Sequence, residues 1–165
     1  MRENIVFDYL LANAWGLPLC RVSVSEDGFV QCQENRENTQ GLQLEKAEVD
    51  KIKSIVSEHA HILDYDSKEL ESPDMFDGDM NFFDIEASDG RKVNLMTFNI
   101  GEVKTPGMSF SKGLLEKGEP DEIVVPVKAM EVVKTFEEIA ATLVANGVDA
   151  KCLRLTYACK TPKIT

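Results

Sequence analysis

Apolar and polar residues alternate along two stretches of the chain, and an Asp-Gly pair interrupts each of them. Residues 19–34 read LCRVSVSEDGFVQCQE, and residues 82–98 read FFDIEASDGRKVNLMTF. A period of two places apolar side chains on one face of a strand, and Asp-Gly favours the tight turn between antiparallel strands. Each stretch therefore predicts a β-hairpin.

Two other stretches have the helical period of 3.6 residues, which buries one face of an amphipathic helix. In residues 45–60 the apolar stripe consists of Val49, Ile52, Val56 and Ala60. Residues 127–146 repeat this spacing, and Gly147 then favours the left-handed conformation that ends a helix. A core-facing helix is predicted for each stretch.

The two ends of the chain are less distinctive. Ile5, Phe7 and Tyr9 alternate as in a strand, whereas the Leu10-Leu11 pair suits a helical turn, so both interpretations stay open. Near the other end, residues 152–157 alternate and predict a last strand.

These elements together predict a single α+β domain over residues 1–165. The expected architecture is a mainly antiparallel sheet built from the two hairpins, with the two amphipathic helices packed on one face. A long loop is expected at about residues 99–121, between the second hairpin and the second helix.

Charge changes the set of partners that the chain suits. It has 29 acidic and 18 basic side chains, for a net charge of −11. Such a surface repels phosphate, so we expect neither nucleic acid nor an anionic membrane as a partner. A basic protein partner is favoured instead.

The N-terminus and the cysteines indicate a cytoplasmic protein. Glu3 and Asp8 stand where a secretory signal is basic or apolar. The four cysteines, which we expect to be reduced and mostly buried, lack the spacing of zinc sites or secreted scaffolds. They are Cys20, Cys32, Cys152 and Cys159.

Both histidines lie in residues 57–66, SEHAHILDYD. On one helix, His59 and His61 point about 200° apart and cannot share a metal, whereas an extended chain would bring them to one side. The alternative function is therefore a small metal-dependent enzyme or ligand-binding domain that uses these histidines with Asp64 and Asp66. No cofactor is predicted, and no phosphate-binding loop or nucleophile elbow occurs in the sequence.

The loop at 99–121 is the stronger functional candidate, because long loops in compact domains often bind partners. The expected contact residues are Met108, Phe110, Leu114, Leu115, Glu116 and Glu119. Alternatively, the four apolar residues of this set could pack into the core of the domain instead of contacting a partner. The sequence favours a non-catalytic protein-interaction module of the inhibitor, immunity or adaptor type, and it identifies neither the partner nor the oligomeric state.

Overall fold

A computed structural model describes residues 4–13, 15–70, 80–98, 124–125, 127–153 and 163–164. The predicted loop at 99–121 lies outside these ranges, and so does most of the predicted last strand. Its first residue, Cys152, belongs to a short 3-10 helix instead.

The described strands form a six-stranded antiparallel sheet in the order β4-β3-β2-β1-β5-β6. The strands are β1 (Ile5–Ala12), β2 (Pro18–Ser25), β3 (Phe29–Glu34), β4 (Glu37–Gln43), β5 (Met80–Glu86) and β6 (Lys92–Phe98). A separate parallel pair joins β7 (Val124–Val125) to β8 (Lys163–Ile164).

Among the described residues, two α-helices accompany the sheet, α1 (Lys46–Glu58) and α2 (Val127–Ala145). The same part of the chain has short 3-10 helices at Ala60–Asp64, Ser67–Leu70 and Ala150–Cys152. None of the helices in the described ranges combines the length and the apolar character needed to cross a membrane.

The core is centred on aromatic rings contributed by three separate elements. The Phe136 ring of α2 lies 4.6 Å from Tyr9, 5.4 Å from Phe83 and 6.1 Å from Phe7, measured between ring centroids. The Tyr9 hydroxyl donates to Asn81 Oδ1 at 2.9 Å, which satisfies its polar group inside the core. The cluster joins α2 to the neighbouring strands β1 and β5.

The mixed class, the antiparallel sheet and the two helices are confirmed. The sheet has six strands, two more than the predicted hairpins supply. The ambiguous N-terminal segment forms β1, whose side chains are mostly buried. The other added strand is β4, which lies at one edge of the sheet and has the polar sequence ENTQGLQ. Apolar and polar residues do not alternate in this segment, so its sequence did not predict a strand.

Truncation of the central ring tests the packing. Phe136 is 2% exposed, so Phe136→Ala should lower the free energy of unfolding by about 3–5 kcal/mol through lost burial and a residual cavity. Val144→Ala is the control on the same helix, because Val144 is 44% exposed and should contribute less than about 1 kcal/mol. Denaturant titrations giving equal losses for both variants would contradict the assigned helix face.

Candidate interaction site

The connection between β1 and β2 presents two large apolar side chains to solvent. Trp15 is 89% exposed and Leu17 is 48% exposed. Both follow Asn13 at the tip of a strand pair in the middle of the sheet. We call Asn13 together with residues 15–17 the Trp15 loop.

Asn13 holds the Trp15 loop in place. Its side-chain Oδ1 accepts hydrogen bonds from the backbone N–H of Trp15 at 3.0 Å and of Leu17 at 2.9 Å. Its backbone N–H donates to the Leu17 carbonyl, and its own carbonyl accepts from Gly16, each at 2.9 Å. Gly16 has φ +80°, a conformation that glycine adopts without steric cost. These hydrogen bonds hold Trp15, Gly16 and Leu17 in place in the free chain.

An ordered, exposed tryptophan is suited to binding a protein. Trp is the residue type most enriched among interface hot spots, because it buries a large apolar area while immobilising only two side-chain torsions. A loop that is already hydrogen-bonded loses little conformational entropy on binding. Exposed indole, by contrast, contributes nothing to the stability of the core. The geometry therefore supports the Trp15 loop as a contact site.

Sequence reasoning missed this site. The signal was present, since Trp15 is the one tryptophan in the chain and Gly16 and Pro18 follow it as turn residues. What the sequence lacked was the pairing of β1 with β2. Because these two strands are joined by a tight connection, the indole within that connection lies outside the core. The six contact residues predicted within 99–121 lie outside the described residues.

The two histidines lie where α1 meets α2. His59 follows the last residue of α1, and its Nε2 is 3.1 Å from Glu138 Oε2. His61 lies in the next 3-10 helix, with Nε2 3.3 Å from Glu131 Oε2. Each imidazole thus has a different carboxylate, and the ring centroids are 6.3 Å apart.

Tyr65 adds a third contact to the same junction. Its hydroxyl donates a hydrogen bond to Glu131, and Lys128 Nζ lies 5.0 Å from the centre of its ring. Burial, together with this hydrogen bond, raises the pKa of Tyr65 to about 12. His59, His61 and Tyr65 with Glu131 and Glu138 form what we call the helix clasp, because they join the segment after α1 to α2.

The two aspartates of the alternative site have other surroundings. Asp66 Oδ1 accepts from the Lys68 backbone N–H at 2.9 Å, and the Asp66 N–H donates to Glu69 Oε2 at 3.0 Å. Asp64 is exposed. Within the part of the chain that the structure describes, no three His, Cys, Asp or Glu side chains are grouped so as to hold a metal ion.

Comparison with known proteins adds no relative, because no family model and no curated protein matches this chain. The interpretation of the site therefore rests on its own geometry.

Removal of the Asn13 amide tests the order of the Trp15 loop. Asn13→Ala should accelerate hydrogen exchange at the Trp15 and Leu17 amides, because both lose their acceptor. Asn13→Asp keeps a carboxylate oxygen at the same place and should retain protection. Exchange measured by NMR gives the result, and equal rates in both variants would show that the side chain does not order the loop.

Alkaline unfolding tests the helix clasp. The folded-state pKa of Tyr65 lies above its ordinary value near 10, so its contribution to stability is complete below pH 10 and is lost as pH rises through about 12. Tyr65→Phe should cost about 1–2 kcal/mol at pH 8, and the difference from wild type should shrink above pH 10. A difference that stays constant across this range in denaturant titrations would contradict the clasp.

Proposed function

We propose that this chain is a non-catalytic protein-interaction module whose Trp15 loop is the anchor. The observation that supports the proposal is the 89% exposure of Trp15 in a loop held by Asn13. A large apolar side chain that is fully hydrated in the free protein gains most when a partner removes it from water. Such an anchor suits a protein of the inhibitor, immunity or adaptor type.

The chemistry of the chain defines the partner that would fit. The indole needs an apolar pocket, and the net charge of −11 favours basic residues around that pocket. We also propose a cytoplasmic location, as expected from the sequence. The segment 99–121, including Phe110 and Glu116, is proposed as a second contact. Opposite charges would speed encounter, while the buried indole would slow dissociation.

Kinetics of binding separate these two roles. The partner is first isolated from the native cytoplasm by cross-linking to the wild-type chain, and binding is then measured at a surface. Trp15→Ala should raise the dissociation rate at least ~30-fold, as expected for a hot spot contributing about 2 kcal/mol or more. The association rate should fall as the Debye length shortens from ~10 Å at ~0.1 M salt to ~3 Å at ~1 M.

Phe29→Ala is the matched control for this measurement. Phe29 is an aromatic residue that is 48% exposed, and it begins β3 at the end of the sheet opposite the Trp15 loop. Its replacement should leave both rate constants within about twofold of wild type. Dissociation rates that respond equally to the Trp15 and Phe29 changes would overturn the placement of the anchor.

The second candidate function is the small metal-dependent enzyme or ligand-binding domain. The observation in its favour is the helix clasp, in which two imidazoles lie 6.3 Å apart and each is next to a glutamate. Elemental analysis of the purified chain distinguishes the two functions. About one bound metal per chain, lost in His59→Ala, would favour this candidate over the interaction module.

A further inference from the structure

Two buried cysteines from distant parts of the chain meet beside the sheet. Cys32 lies in β3, and Cys152 ends the 3-10 helix Ala150–Cys152 that follows α2. Both side chains are buried free thiols. Cys152 Sγ lies 3.9 Å from the carbonyl oxygen of Gln33, the residue that follows Cys32, so the two thiols are neighbours.

The surroundings hold both sulfur atoms in position. Cys32 Sγ lies 3.6 Å from Gln40 Oε1, which also accepts from the Asp149 backbone N–H at 2.9 Å. Cys152 Sγ lies 3.9 Å from Thr39 Oγ1 and 3.9 Å from the Gln33 carbonyl oxygen. Gln40 Nε2 adds a 2.7 Å hydrogen bond to the Gly147 carbonyl. The turn that carries Cys152 is thereby fixed against β3 and β4.

We propose that Cys32 and Cys152 form a reversible disulfide when a peroxide oxidises the chain, and that this bond latches the segment after α2 to the sheet. A covalent link at this point would join two segments that are now held by hydrogen bonds between side chains and backbone.

The reaction balances with hydrogen peroxide as the oxidant. The Cys152 thiolate attacks one peroxide oxygen, the O–O bond breaks, and the products are a sulfenic acid and hydroxide, which takes up the proton that the thiol released and becomes water. The Cys32 sulfur then attacks the Cys152 sulfur, the S–O bond breaks, and a second water leaves. Two thiols lose two electrons and two protons, and one peroxide becomes two waters.

The order of the two steps follows from the surroundings of each thiol. Burial and the neighbouring Cys152 raise the pKa of Cys32 to about 12, so its thiolate is scarce. The pKa of Cys152 is also raised by burial, but its hydrogen bond to Thr39 opposes that effect. Cys152 also follows an exposed residue, Lys151, in a turn at the surface. Cys152 therefore reacts first, when local opening of the turn admits peroxide.

Burial also determines the rate and the persistence of the latch. Both thiols are shielded and poorly ionised, so oxidation should be slower than that of an exposed thiol. Once formed, the disulfide is shielded from reductants in the same way. The latch thus responds to sustained oxidation rather than to a brief pulse.

Peptide mapping tests the proposal on the full wild-type chain. Trypsin places every cysteine in a different peptide, because Cys20 falls in residues 3–21, Cys32 in 22–36, Cys152 in 152–154 and Cys159 in 155–160. After treatment with hydrogen peroxide and blocking of free thiols, digestion without reductant should yield peptide 22–36 linked to 152–154. Dithiothreitol should separate the two, and the oxidised chain should unfold at higher denaturant concentration than the reduced chain.

Other products would overturn the latch. These are a link between peptides 3–21 and 22–36, a sulfinic acid on Cys32 or Cys152 without a link, or no modification of either cysteine after prolonged exposure. Cys32→Ala should abolish the linked product, whereas Cys20→Ala, which removes a buried thiol from the neighbouring strand β2, should preserve it. The wild-type map needs no variant, so its result stands even if a substitution prevents folding.

Discussion

The contact of Phe136 with Phe7, Tyr9 and Phe83 is the interaction on which the rest of the structure depends. One ring of α2 packs against two neighbouring strands, so its burial joins α2 to β1 and β5. Aromatic side chains bury the largest apolar areas, and tilted contacts between their rings stabilise the fold beyond the free energy gained from burial alone. Val132 and Ile139 of the same helix lie around these rings as well, so the contact is the centre of a core that the helix and the sheet share.

The rigidity of that core explains how a surface loop can be presented with fixed geometry. β1 lies between β2 and β5, and it is paired with both strands along most of its length. The Trp15 loop begins where β1 ends, so Asn13 starts from a backbone position that the sheet already determines. Binding residues are often found on loops positioned by such a scaffold, because the loop is free to vary while the strands supply stability.

Contacts from α2 and the turn after it reach three earlier parts of the chain. Glu131 and Glu138 meet the segment that follows α1, while Asp149 and Cys152 meet β3 and β4. These contacts join residues far apart in sequence, so each requires the closure of a long loop during folding. The helix clasp and the cysteine pair therefore form only when the sheet and α2 have assembled.

The sequence by itself determined the elements whose pattern is local. The stripe at Val133, Phe136 and Leu143 predicted a helix, and the Asp-Gly turns predicted strands on either side of them, because periodicity depends only on neighbouring positions. Tertiary structure alone decided that Ile5–Ala12 is a central strand, that the polar segment Glu37–Gln43 is an edge strand, and that Trp15 faces water. The pairing of β1 with β5 joins distant parts of the chain, which no local pattern encodes. β4 pairs with its near neighbour β3, but its polar sequence has no alternating apolar residues from which that pairing could be predicted.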